Sequence, residues 1–237
     1  MELKQLTKNV YYTTHEERRD RPCLGYIRDS RYPVMVDGGN SPAHVAEYLA
    51  LLAAEGLPRP KLLCITHSHW DHTYGITAAN CFCLASEKTN ALLNTMAGWG
   101  WTEEEMRKRV ETGEESLFCD THIREEYARP EEIQVRPADL SFHQEIALEL
   151  DIPVRFFELV SPHAQDCAVI LADGVLFLGD AYCSVPVGED WVYDKELLAA
   201  HIAALEEIPF SLCVKGHHPP QTKAELLAEL RREFSLL

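Results

Sequence analysis

The chain has 237 residues, 46% of them hydrophobic, enough apolar material to build one large domain or two small ones. Its 38 acidic residues outnumber 22 basic ones, and the resulting formal charge of −16 repels phosphate backbones and anionic membranes at long range. No apolar run is long enough to span a bilayer, and the opening stretch "MELKQLTKNVYYTTHEERRD" lacks the apolar core of a secretory signal, so a cytoplasmic protein is expected.

Residues 4–12 and 23–28 are rich in β-branched and aromatic side chains and read as short strands. "YPVMVDGGN", residues 32–40, is an apolar strand running into Asp37 and two glycines. Ser41 then offers an N-cap and Pro42 a first helical position. The helix over 42–55 carries Val45, Tyr48, Leu49 and Leu52 on one face and ends at Gly56. "KLLCIT", 61–66, is the near-continuous apolar run of a strand covered on both faces. Residues 81–85 give another strand.

From residue 86 to about 130 the pattern turns helical, with a capping box at Thr102 and Glu105, a stop near Gly113 and a further helix over 121–128. This block interrupts a strand-rich chain, and it reads equally as a lid beside a site or as a packing element away from one. Trp99 and Trp101 accordingly read as pocket lining or as core. The acidic runs at 103–105 and 114–115 read as solvated faces.

Strands resume at 144–150, 153–160, 167–172 and 174–178, with Asp173-Gly174 as a two-residue hairpin signal between the last two. A helix capped by Asp194 covers 195–207, a strand covers 210–216, and Thr222 with Glu225 caps the final helix. The eight cysteines are scattered, several inside apolar runs. They read as small buried hydrophobes rather than a disulfide framework.

"CITHSHWDHTYG", 64–75, places three histidines and an aspartate within six positions, delivered by a buried strand. In an extended segment His67 and His69 share a face and can grip one ion, and after a turn Asp71 and His72 can face a second. Gly75 allows a helix start to approach this loop closely. Such a run arises by chance in roughly one chain in a thousand of this composition. Further ligand types stand where other apolar strands open into loops: His163 in "LVSPHAQD", Asp180 in "VLFLGDAY" and His217 in "LCVKGHHPP". His15, His122 and His143 have no partner motif and read as surface or loop residues, while His201 shares the apolar face of its helix and reads as a core-edge histidine.

The ordered set Asp37, His67-x-His69-x-Asp71-His72, His163, Asp180 and His217 resembles the metallo-β-lactamase-fold superfamily of metallohydrolases. The likeness implies an α/β, four-layered αβ/βα sandwich, here a single domain over 1–237 with a helical insertion at about 86–130. It implies that His67, His69 and His163 hold a first metal, that Asp71, His72 and His217 hold a second, and that Asp180 bridges them. Asp37 would orient the metal loop from behind, and His217, directly after Gly216, is preferred to His218 as the last ligand.

The implied chemistry is hydrolysis of a small-molecule substrate by a water activated between two divalent ions, zinc first, with iron or manganese also admitted by the donors. Asp71 would relay a proton and Tyr182 would contact substrate, although an edge-of-core tyrosine is the plainer reading of the latter. A small ester, thioester or lactone is the first expectation. A phosphodiesterase or nuclease is disfavoured by the charge; an iron-dependent thiol dioxygenase and a non-catalytic metal-bound scaffold are the other readings. A homodimer is compatible with the sequence.

Overall fold

The computed structural model describes residues 1–187 and 190–237. Alternation of side chains along the strands sorts them into layers. The first sheet takes its seven strands in chain order: β1 (Leu3–Gln5), β2 (Val10–Thr13), β3 (Gly25–Ile27), β4 (Val34–Val36), β5 (Leu62–Cys64), β6 (Phe82–Ser86) and β7 (Leu140–Phe142). Strands β1 to β4 pair antiparallel, and β4 to β7 pair parallel. Helix α1 (Pro42–Ala54) makes the crossover from β4 to β5. Two single-turn helices, α2 (Trp70–Thr73) and α3 (Ile76–Ala79), lie between β5 and β6.

The second sheet contains β8 (Glu145–Glu149), β9 (Pro153–Glu158), β10 (Ala168–Ala172), β11 (Val175–Gly179), β14 (Leu212–Lys215) and β15 (Gln221–Thr222), in the spatial order β15-β14-β11-β10-β9-β8. Between β11 and β14 come a separate hairpin, β12 (Val185–Val187) with β13 (Asp190–Val192), and helix α7 (Lys195–Glu207). Helix α8 (Lys223–Leu236) closes the chain.

Val34, Val36 and Cys64 from the first sheet meet Phe156, Ile170 and Phe177 from the second in the central core. On the outer face of the first sheet, Met35, Leu63 and Ile65 pack against Val45, Tyr48 and Leu52 of α1. On the outer face of the second, Val169, Leu176 and Leu178 pack against Leu198, Ile202 and Leu205 of α7 and Leu226 and Leu230 of α8. The result is the expected αβ/βα sandwich, with a helical insertion: α4 (Glu87–Met96), α5 (Glu103–Thr112) and α6 (Leu117–Glu126).

The insertion has its own small core, in which Trp101, Met106, Ile123 and Ile133 surround Trp70 and Tyr74 of the metal loop. The Arg109 guanidinium stacks between Trp99 and Trp101, 4.7 and 4.6 Å from the rings. Glu126 at the end of α6 takes a fork of bonds from buried Arg21, at 3.1 and 2.7 Å, tying the insertion back to the connection between β2 and β3.

Some boundaries differ from the sequence reading. Residues 4–12 are two strands, because the Thr7 hydroxyl accepts from the backbone N–H groups of Asn9 and Val10 and turns the chain. The helix expected over 121–128 begins at Leu117, where the Ser116 hydroxyl accepts from Cys119 N–H. Strand β7 and the β12–β13 hairpin were not foreseen.

Candidate metal centre

The ligand-type side chains sit where strands end. Strand β5 delivers the chain through Ile65 and Thr66 to His67, and α2 carries Asp71 and His72 one turn later. Asp180 directly follows β11 and His217 lies two residues past β14. The parallel pairing of those strands, continued by a Gly216 N–H to Gly179 carbonyl bond of 2.9 Å, sets the two side by side. His163 is on the loop after β9, where its N–H donates to the Ser161 hydroxyl at 3.0 Å; that hydroxyl in turn donates to the Ala181 carbonyl at 2.9 Å.

Two clusters result. His67, His69 and His163 form one, with His69 Nδ1 and His163 Nε2 only 3.0 Å apart. Asp71, His72, Asp180 and His217 form the other. There the Asp71 carboxylate lies 2.9 Å from His72 Nε2 and 3.0 Å from His217 Nε2. One oxygen of Asp180 joins the two: Oδ2 is 3.5 Å from His72 Nε2, 3.4 Å from His217 Nε2 and 4.0 Å from His163 Nε2. His218 belongs to neither cluster; its ring stands against Tyr182 and His15, at 6.0 and 6.3 Å.

The backing of the clusters decides which nitrogen each ring presents. Asp37 is held in a left-handed conformation, φ 63°, uncommon for a residue with a Cβ. Its carboxylate accepts from Thr66 N–H at 2.8 Å and from the Thr66 hydroxyl at 3.0 Å, and it takes the His72 Nδ1 proton at 2.8 Å. The Thr66 hydroxyl, its own proton spent on Asp37, faces His67 Nδ1 at 3.1 Å as an acceptor. Both rings therefore carry hydrogen on Nδ1 and turn Nε2 into the clusters, the nitrogen a metal would take in place of a proton. Neither Nε2, nor Asp180 Oδ1, has a hydrogen-bond partner among the described residues. The donors suit borderline divalent ions such as zinc, and the second cluster's two carboxylates also admit iron or manganese.

Electrostatics agrees. Burial, reinforced by the neighbouring imidazoles of His72 and His69, holds His67 well below the usual histidine range. Burial and His69 push His163 down to about 4. Burial also opposes charge on His72 and His217, but the carboxylates of Asp71 and Asp180 outweigh it and hold both rings well above the usual range. Asp180, despite its burial, is held well below the carboxylate range by His217 and His72. Protons and cations thus compete for the same lone pairs.

Glycine is required where the chain passes Asp180 on its way to His217. A Cβ on Gly216 would run into the Asp180 carboxylate and stand 3.2 Å from His72 Cε1. Gly75 plays the packing part expected of it: its N–H bonds the Gly39 carbonyl at 2.9 Å, and a Cβ there would meet the Gly38 carbonyl.

The clusters open into a cleft of about 1720 Å³. Tyr182 is 3% exposed, and its hydroxyl has no partner among the described residues. Its ring lies beneath the Lys215 ammonium at 4.5 Å, so the side chain is both edge of core and cleft wall. The insertion lies beside the site rather than away from it: Trp101 is in its core, while Trp99, with α4 and α6, lines the cleft. Of the acidic runs, Glu103 and Glu104 are solvated, but Glu115 is half-buried in the cleft wall. His15, expected to be an isolated surface residue, also lines the cleft.

Sequence reasoning missed two polar neighbours. Asp20 places Oδ1 3.4 Å from His217 Nδ1, and burial beside Asp71 raises its carboxyl to about 7. Nothing in "EERRDRP" marks it. Thr66 was missed as well, although its place directly before His67 is the one local signal that could have marked it.

A family model described as the metallo-beta-lactamase superfamily matches residues 25–233. Among solved structures, the chain is similar to a metallo-beta-lactamase from Pontibacter korlensis, with 15% identity, a TM-score of 0.66, and coverage of 100% of this chain and 99% of that one. The Rm3 metallo-beta-lactamase is 14% identical with a TM-score of 0.68, covering 100% and 93%. A metallo-beta-lactamase family protein from Thermus thermophilus is 19% identical with a TM-score of 0.67, covering 98% and 81%. At these identities the likeness is one of fold. No curated protein matches the sequence.

Proposed function

The chain belongs to the metallo-beta-lactamase superfamily, and on that premise we propose that it is a dinuclear metal-dependent hydrolase of a small ester, thioester or lactone. The observation that carries this reading is the single Asp180 oxygen within 3.4–4.0 Å of nitrogens from both clusters, at the floor of an open cleft. A scaffold site has no need of such access. His67, His69 and His163 would hold one ion, Asp71, His72 and His217 the other, with Asp180 spanning them. Zinc suits the imidazole-rich set best.

When bound, the metal pair supplies an activated water near neutral pH and a positive field for the oxyanion that develops on the acyl group. The protein's own groups do the rest. Asp71 is held ionised beside His72 and His217, despite its burial, and would be the acceptor that passes a proton on to the leaving group. Tyr182 lines the cleft, but its hydroxyl is buried and would have to turn outward to donate to the substrate. Asp37 and Thr66 keep His72 and His67 in the ligand tautomer throughout.

The test is elemental analysis of wild type and Asp180→Ala, together with a panel of esters, thioesters and lactones. Two zinc ions per chain with turnover, falling to one or none without turnover in the variant, is the expected result. A protein that takes up no metal and turns over no member of the panel would overturn it. Iron with oxygen consumption on thiols would replace hydrolysis by thiol oxidation.

A further inference from the structure

The walls of the cleft differ in chemistry from its floor. Leu92, Met96 and Trp99 from α4 and the turn after it, Phe118 from α6, and Trp191 and Val192 from β13 all line it. These are large apolar groups that folding leaves in contact with water: Trp191 is 56% exposed, Leu92 44%, Phe118 43% and Val192 41%. Phe118 and Trp191 meet edge to face with ring centroids 6.0 Å apart and planes at 89°. That contact joins the insertion to the β12–β13 hairpin across the cleft. Scattered exposed apolar side chains are ordinary, but a ring of them around one opening marks a ligand surface.

The charged groups in the same walls are nearly all of one sign. Glu17, Glu114, Glu115 and Glu233 line the cleft outside the metal clusters, as does Glu229, whose charge is taken up by Lys215 at 3.2 Å. Lys88 is the only lysine or arginine among the described lining residues, and it is taken up by Glu158 at 2.6 Å. With the overall charge of −16, these walls repel a carboxylate, sulfonate or phosphate on any part of a substrate beyond the reacting group. The volume also exceeds the several hundred Å³ typical of compact small-molecule pockets, leaving room for a chain.

We propose that the substrate is an uncharged acyl compound, an ester, thioester or lactone whose acyl part is an extended apolar chain lying between the insertion and the β12–β13 hairpin. The inference rests on the hydrolase reading for the identity of the scissile bond, and on the cleft walls alone for the chain and its neutrality. Each methylene fully removed from water is worth about fourfold in affinity. Four added methylenes, about two-fifths covered in an open cleft, therefore give about tenfold.

The experiment uses the full-length, metal-loaded protein and two readouts. Calorimetric binding is measured for butanamide, octanamide and an octanamide bearing a terminal sulfonate, none of which is an ester. Hydrolysis is measured for the p-nitrophenyl esters of butyric and octanoic acids. The expected result is octanamide binding about tenfold tighter than butanamide, with the sulfonate costing at least about tenfold. The same chain-length preference should appear in KM for the esters. In Phe118→Ala/Trp191→Ala the chain-length preference should fall to about twofold with metal content unchanged. In Glu114→Lys/Glu233→Lys the sulfonate penalty should shrink.

Equal binding of the short and long amides, or of the neutral and sulfonated ones, would overturn the proposal. If the amides discriminate as expected while no ester is hydrolysed, the cleft assignment stands and the hydrolase reading falls.

Discussion

Four histidines are completely buried, in two different kinds of surroundings: His67 and His72 at the sandwich edge, His44 on α1 and His201 on α7. Burial does not separate them, and neither does an unpartnered nitrogen, since each of the four leaves Nε2 without a partner among the described residues. What differs is convergence. His67 and His72 each place that nitrogen within 4.8 Å of several other ligand atoms, whereas the groups of metal-type residues among the described residues do not include His44 or His201. His201 Nδ1 donates to the Val160 carbonyl at 2.7 Å and the ring otherwise sits beside the Leu198 and Ile202 face of its helix. A ligand histidine is thus told from a core histidine by what faces its second nitrogen.

The sharpest way to break this contrast is to remove the oxygen both clusters share. Asp180→Ala should lower metal content to one ion or none and cut hydrolysis by about a thousandfold or more. The same measurements on His201→Leu should show two ions retained. If Asp180→Ala keeps both ions, the clusters do not act as one centre.

The core histidines give a different signature, in stability rather than metal. Burial pushes His201 down to about 4, against about 6.5 in the unfolded chain. The unfolded state takes up a proton near pH 6.5 and the folded state does not until near 4. Stability is therefore full above pH 6.5 and declines as pH falls toward 4, by about 3 kcal/mol from this ring. Chemical denaturation of His201→Leu at pH 7.5, 5.5 and 4.5 should show a shallower decline than wild type. Some decline should persist, because His44 is pushed down to about 3 by burial and titrates with the same sign. Identical pH slopes would mean that His201 is not buried neutral.

Asp37→Ala removes the acceptor that fixes the His72 tautomer. Loss of such a backing carboxylate should weaken metal binding by about 10–100-fold while the fold persists. Competition with a chromogenic chelator measures it, and unchanged affinity would mean that the Nε2 lone pairs do not depend on Asp37.

Legibility in the sequence followed locality. His67, His69, Asp71 and His72 could be picked out because they crowd into one loop, and His163, Asp180 and His217 because each follows an apolar strand. Helix α7 was read to the residue because Asp194 caps it locally, its side chain accepting from Leu197 N–H at 2.9 Å. Asp20 and His15 carry no local signal; they reach the cleft only because the loop after β2 folds back toward Gly216, whose carbonyl accepts from Cys23 N–H at 2.6 Å. The β12–β13 hairpin was missed for a similar reason. Its strands are three residues each and pair only with one another, so they lack the longer alternation that marks a sheet strand.

Thr66 is the finest test of the contrast, because it separates orientation from ligation. Its hydroxyl donates to Asp37 and so can only accept from His67 Nδ1. Thr66→Val keeps the branched shape that packs against Gly179 and removes both bonds. Freed of its acceptor, His67 could carry hydrogen on Nε2 instead, where it would block the lone pair a metal needs. The expected loss in metal affinity is about tenfold or less, since Asp37 still holds His72. Nitrogen-15 spectra of the imidazoles should show a mixed tautomer at His67 alone, and Thr66→Ser should restore the single one. A Thr66→Val protein with wild-type spectra and affinity would mean that packing, not the hydroxyl, sets the His67 tautomer, and the distinction between ligand and core histidines would then rest on convergence alone.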